Sequence, residues 1–238
     1  MKKITDSVAA AHRCSVPLVA IETPDPAATM RQIVDNVSID TPKACWNVVD
    51  GFQKLNEQGD EIIRVTGGCP GNVLEALRKI NAAPEESIVF IMMGDRWMTA
   101  PPVIQAIWNL RDEFKTNGRM LVLLCTDAGS MPPELKHDVV IFSEPLPDDE
   151  HLGQVLDDLC ATAGKDGEKL DVTSDIRERV IDAVRGLSAF EAEQVIAMSI
   201  RKDGVSVSDC QERKRKMVEQ TKGLSVFTEN HSFDDLAG

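Results

Sequence analysis

Two unbroken apolar runs constrain the fold of this chain more than any other feature. Ser87-Ile88-Val89-Phe90-Ile91-Met92-Met93-Gly94-Asp95 is one, and Met120-Leu121-Val122-Leu123-Leu124-Cys125-Thr126 is the other. A strand with one wet face alternates apolar and polar residues. A continuous run predicts a strand covered on both faces, as in a parallel sheet between helical layers. Between the two runs, Val103, Ile104, Ile107, Leu110, Arg111 and Phe114 keep the helical period, and Gly118 ends it. Further strands are expected at 17–23, closed by Pro24 and Pro26, at 43–51, stopped by Gly51, and at 139–142, after a turn through Pro132, Pro133 and Leu135. Met30, Ile33, Val34 and Val37 recur at helical spacing, and Asn72 is placed to cap a helix carrying Val73, Leu77 and Ile80. The stretch from Phe52 to Arg64 is polar and has no clear period, with Gly59 marking a turn. Strand and helix alternate, which predicts an open α/β sheet with helices on both faces.

After Pro145-Leu146-Pro147 the pattern becomes helical. Helices are expected near 148–163, 173–185, 188–202 and 206–222, separated by Gly164-Lys165-Asp166-Gly167, by Gly186-Leu187-Ser188 and by Gly204. Ser188 and Glu191 have the spacing of a capping box. This predicts a small all-helical unit attached to the sheet.

With 238 residues, 42% of them apolar, the chain can bury a substantial core. No stretch approaches the ~18 apolar residues that cross a bilayer. The N-terminal Met1-Lys2-Lys3 imitates a signal peptide, but Asp6, His12 and Arg13 interrupt any apolar segment, so a cytoplasmic location is expected. The six cysteines form no CxxC pair, and Cys45 and Cys125 sit in apolar runs as small hydrophobes. A formal charge of −13 argues against broad binding to nucleic acid or anionic membrane. The basic run Arg213-Lys214-Arg215-Lys216 reads as a solvated helix face; the alternative is contact with RNA or an acidic protein partner.

Candidates for chemistry are few. Gly67-Gly68-Cys69-Pro70-Gly71-Asn72 is a glycine-rich loop before a helix, where backbone N–H groups can cradle phosphate; an ordinary turn is the other reading. The phosphate-loop pattern GxxxxGK[ST] occurs nowhere, so its lysine and its magnesium-holding hydroxyl are missing. Asp95 follows a buried strand, where a magnesium-holding acid stands in phosphate-loop ATPases, but Arg96 takes the place of the following acid. A structural role, capping or pairing with Arg96, is the alternative. Thr126 and Asp127 end the next strand, to orient a water near a phosphate or simply to form a turn. His12, His137, His151 and His231 have no metal-ligand spacing, and no GxSxG elbow occurs. Trp46, Trp97 and Trp108 have apolar surroundings and are expected in the core or an interface.

Taken in order, these segments resemble a known family. Leu18 to Thr23 after Arg13, then Cys45-Trp46-Asn47 and Asp50-Gly51, is similar to the N-terminal half of the Ycf46-like AAA ATPases of cyanobacteria, plastids and other bacteria. So is the strand ending Met93-Gly94-Asp95, with Ile107, Leu110 and Arg111 on the next helix. Cys125-Thr126, Met131 to Leu135 and Phe142 to Asp148 look like the AAA passage from the sensor-1 strand to the lid. Gly186-Leu187-Ser188, Glu191 to Glu193 and the helix holding Glu212, Arg213 and Lys214 match the lid and exit helix. Ser232 to Gly238 is similar to the segment that opens an AAA module. The resemblance implies a RecA/AAA-like three-layer parallel sheet domain at 1–147, a helical lid at 148–224 and a linker at 225–238. It also implies that Asp95 and Thr126 are degenerate Walker B and sensor-1 positions. The expected role is non-catalytic, serving regulation, assembly or substrate handling for a catalytic AAA module in cis or in trans. ATP and magnesium are expected for the longer protein and none for this chain; an oligomer is possible, and membrane or nucleic-acid partners are not expected. The alternative is a nucleotide-binding or ATP-hydrolysing domain that uses the 67–72 loop with Asp95.

Overall fold

The computed structural model describes residues 4–129, 131–163, 170, 172–201 and 204–220. The expected segments 164–167 and 225–238, and His231, lie outside the described residues. The chain divides into two compact units, with the boundary between Pro145 and Leu146.

The first unit is built on a six-stranded sheet of order β3-β2-β4-β5-β1-β6. Its strands are β1 (Leu18–Glu22), β2 (Lys43–Asn47), β3 (Gly51–Lys54), β4 (Ile88–Ile91), β5 (Met120–Cys125) and β6 (Val140–Ser143). All pairings are parallel except β2 with β3. The two long apolar runs become β4 and β5, neighbours in the middle of the sheet, and every residue of both is buried. Successive residues feed opposite faces, because side chains alternate along a strand. Val89, Ile91, Leu121 and Leu123 join one core with α3 (Asp60–Thr66), α4 (Val73–Lys79) and α6 (Pro101–Thr116). Ile88, Phe90, Val122 and Leu124 join the other with α1 (Ile4–Arg13) and α2 (Pro26–Asn36). A continuous apolar run was therefore the right signal for a strand with no wet face.

Three elements depart from expectation. The strand expected at 43–51 is two strands. The Asn47 side-chain oxygen accepts from the backbone N–H of Val49 and Asp50, which closes a turn. Gly51, at φ +74°, then starts the antiparallel edge strand β3. A Cβ on Gly51 would lie 2.1 Å from the Gly68 carbonyl oxygen, so this backbone crossing requires glycine. The second departure is that β4 stops at Ile91. Met93, at φ 58°, turns the chain into the short helix α5 (Gly94–Trp97). The third is α1, not expected as a helix, which buries Ile4, Val8 and Ala11 on one face. Buried Lys43, at the start of β2, donates from Nζ to the carbonyls of Val37 and Ser38 and so ties down the end of α2.

The second unit contains α7 (Asp149–Ala163), α8 (Ser174–Val184), α9 (Ala189–Ala197) and α10 (Val207–Gln220) around its own core, including Leu152, Leu156, Val180, Val184, Val195 and Ile196. The helix expected at 188–202 ends at Ala197. Ile200–Arg201 and Gly204–Val205 instead pair as a short antiparallel ribbon, β7 and β8. The capping box at Ser188 and Glu191 is formed. Among the described residues, no helix is long and apolar enough to cross a membrane.

Candidate functional site

In an open α/β sheet, ligands bind beyond the carboxyl ends of the strands, where the chain changes direction across the sheet. From β1 the chain runs through α2 to β2, on one side of β1; from β5 it runs to β6, on the other. The switch point therefore lies between β1 and β5. The residues beyond it are Thr23 and Asp25 after β1, Asp95 after β4, Thr126 and Asp127 after β5, and Glu144 after β6.

The link from β1 to α2 is only Thr23-Pro24-Asp25. Asp25 is the N-cap of α2, its side chain accepts from the Ala28 N–H, and Pro26 follows with its φ preset for a helix. The Thr23 hydroxyl donates to Oε2 of Glu144 at 2.5 Å. The Thr29 hydroxyl, in the first turn of α2, lies 2.7 Å from the same oxygen and 2.8 Å from the Thr23 hydroxyl. Both threonines are buried. This group of side chains was not legible beforehand, because its members are 115 and 121 positions apart in the chain. What was legible is the end of the strand at Pro24 and Pro26 and the helical period from Met30 to Val37.

These residues do not fit a magnesium–triphosphate. A phosphate loop offers a lysine and a run of free backbone N–H groups at a helix N-terminus. Here the cap is a carboxylate, and a second carboxylate presses on the first turn of the same helix. Both charges repel phosphate.

Asp95 and Thr126 do come together. Thr126 donates from its backbone N–H to Oδ1 of Asp95 at 3.3 Å, and from its hydroxyl to Oδ2 at 3.1 Å. Arg96 reaches the same carboxylate at 3.7 Å, and the Asp95 side chain is 10% exposed. The α5 turn that carries Asp95 is pressed onto β5, since a Cβ on Gly94 would lie 2.8 Å from Cβ of Leu123. It is further held by Trp97, whose indole N–H donates to the Met92 carbonyl and whose ring packs edge-on against buried Trp46, centroids 5.8 Å apart. Trp108 is different from both: it is exposed on α6, with the Arg111 guanidinium over its ring at 4.7 Å. Asp127 accepts from the Gly129 N–H, which shapes a turn. The Cys125 thiol, just below, is pushed up to about 12, first by burial and then by the nearby Asp95 charge.

The glycine-rich stretch stands elsewhere and its amides are largely spent. Gly67 donates to Ile63, Cys69 to Gly67, and Gly71 to Val48. The head of α4 is already capped by the Asn72 side chain, which accepts from the N–H of Leu74 and Glu75. Within the second unit, the basic run lies on α10. Lys214 donates to the Arg185 carbonyl, while Lys216 and Arg215 pair with Glu212 and Glu219 one turn away. Among the described residues no group of His, Cys, Asp and Glu could hold a metal ion.

Known proteins agree with this architecture. Residues 4–143 match the family described as "SpoVK-like AAA ATPase, N-terminal domain", and residues 150–221 match its "second domain". An "Uncharacterized AAA domain-containing protein ycf46" from Gracilaria tenuistipitata var. liui is 24% identical over 197 residues, covering 82% of this chain. The match spans only 38% of that relative's length. Among solved structures, the "FIGL-1 AAA domain in complex with ADP" is 14% identical, with a TM-score of 0.52, over 90% of this chain and 74% of its own. C. elegans PCH-2 is 11% identical, with a TM-score of 0.50, over 91% and 67%. At such identities the structures speak for the fold alone, an AAA-type sheet domain with a helical lid. With more than half of its length matched, the chain belongs to the SpoVK-like AAA ATPase family, of which it carries the N-terminal and second domains.

Proposed function

We propose that this chain is a non-catalytic AAA-like module that serves regulation, assembly or substrate handling for a catalytic AAA module supplied in cis or in trans. ATP and magnesium belong to that second module. The observation that carries the reading is the turn after β1. Thr23-Pro24-Asp25 stands where a lysine-bearing glycine loop would grip a triphosphate, and carboxylates cover the head of α2. Asp95 and Thr126 then act as relics of the Walker B and sensor-1 positions, bonded to each other in place of a metal and a water. The match to little more than a third of a longer AAA relative supports a partner module. A sheet domain of this kind still biases a catalytic neighbour by packing against it in one conformation and not another.

Calorimetric titration of the purified chain with ATP and magnesium tests the proposal. No heat of binding is expected up to about 100 μM nucleotide. Micromolar binding, or turnover of ATP by the chain alone, would overturn it.

A further inference from the structure

We propose that Glu144 is a built-in substitute for a bound phosphate: its carboxylate locks the β1–α2 turn to the end of β6, so that the switch point of the sheet is held in one state without nucleotide. The proposal rests on the reading of that turn given above and adds to it a specific device.

An anion is favoured at the first turn of a helix, because the helix dipole and the unpaired N–H groups attract negative charge there. In this chain the anion comes from the protein itself. Glu144 is the first residue after β6, and its backbone N–H donates to the Glu22 carbonyl at 2.9 Å, which extends the β1–β6 ladder by one bond. Its side chain then reaches the first turn of α2. There Oε2 lies 2.5 Å from the Thr23 hydroxyl and 2.7 Å from the Thr29 hydroxyl. The clasp is braced from below. Thr23 accepts from the Asp25 N–H at 3.0 Å, and Thr29 lies 3.0 Å from the Asp25 carbonyl oxygen. One carboxylate oxygen thus joins three chain segments: the exit of β1, the first turn of α2 and the exit of β6. Both threonines are buried, at 1% and 0% exposure, so they have little water to replace a lost acceptor. Bonds from hydroxyl to carboxylate are among the stronger ones in proteins. Pro145 and the boundary of the second unit follow immediately, so the clasp pins the strand end from which that unit departs.

Hydrogen exchange of the whole chain tests this. In Glu144→Ala and in Thr29→Val, amides in peptides covering 22–30 and 142–146 should exchange about tenfold or more faster, while those of β4 and β5 keep wild-type protection. Thr29→Ser keeps the hydroxyl and should exchange as wild type. If Glu144→Ala loses protection throughout, Glu144→Gln gives the reading, since it keeps the shape and an acceptor but not the charge; it should loosen the same two segments only. Wild-type exchange in Glu144→Ala, or in Thr29→Val and Glu144→Gln together, would overturn the proposal. Adding ATP and magnesium to the wild type should leave both segments unchanged; added protection there would also overturn it, because nucleotide would then do what Glu144 is said to do. Nucleotide binding that leaves these segments untouched would sink the non-catalytic reading and leave the clasp standing. No nucleotide binding together with an inert Glu144→Ala would do the reverse.

Discussion

At the scale of single residues, Asp95 and Gly94 show how one position can carry two histories. Asp95 sits where a metal-holding acid is expected, yet both its oxygens are engaged by Thr126. Asp95→Ala should therefore cost about 0.5–1.5 kcal/mol of stability in urea unfolding, the net worth of an ordinary hydrogen bond, since the exposed Thr126 donors regain water. It should not change the response to ATP. Gly94→Ala should destabilise by about 1–3 kcal/mol in the same assay, because the added methyl meets Leu123 and Cys125 in a packed core. The cysteines are sorted by burial. Cys14 is exposed and the other five are buried. Burial pushes the Cys45 thiol up to about 12, and Cys125 likewise, so neither offers thiolate near neutral pH. A thiol reagent added to the native protein should label Cys14 quickly and the rest only on unfolding, as mass spectrometry would show. The position of Asp95 after a buried strand was legible from sequence. Its pairing with Arg96 was legible too, whereas the bonds from Thr126 were not, because Thr126 lies 31 residues away, just past the end of a different strand.

Elements were legible in proportion to how strongly a pattern was repeated within them. The helix α6 holds its apolar period over four turns, and the residues that carry the period, Val103 to Phe114, all fall within Pro101–Thr116. The box at the head of α9 was visible as a serine with a glutamate three residues on, and it forms with both bonds in place. Ser188→Ala should lower stability by about 1 kcal/mol, measured by thermal or urea unfolding, because the N–H of Glu191 loses its acceptor. Hairpins were less legible. The turn from Asn47 to Gly51 depends on one side chain accepting two backbone N–H groups, and apolar periodicity carries no trace of that. The same holds for the β7–β8 ribbon, whose two-residue strands are shorter than any periodic signal.

At the scale of the molecule, the two units each bury their own core. The helical unit expressed alone, as residues 146–238, should show helical circular dichroism and a cooperative melt. Its surface is also tuned by exposed ion pairs. Arg185 holds the Asp149 carboxyl below its ordinary 3.8, and Arg201 does the same for Asp209. A depressed carboxyl adds stability that is fully present above its ordinary value and is lost as pH falls through the lowered one. The melting temperature of that unit should therefore hold steady down to pH ~5 and fall between pH ~5 and pH ~2, by a modest amount because the pairs face solvent. The sequence by itself determined the layers: the cores of the two unbroken apolar runs became strands covered on both faces, and the 3.6-residue period after Pro147 became packed helices, with the short β7–β8 ribbon as the exception. It also determined one absence, since no order of folding can create a GxxxxGK[ST] that the chain does not contain. Only the tertiary structure decided the order of strands, and hence that β1 and β5 flank the switch point and that Thr23, Thr29 and Glu144 meet there. The physical reason is that burial is written locally, in the period of apolar residues, whereas hydrogen bonds between distant segments depend on which strands become neighbours.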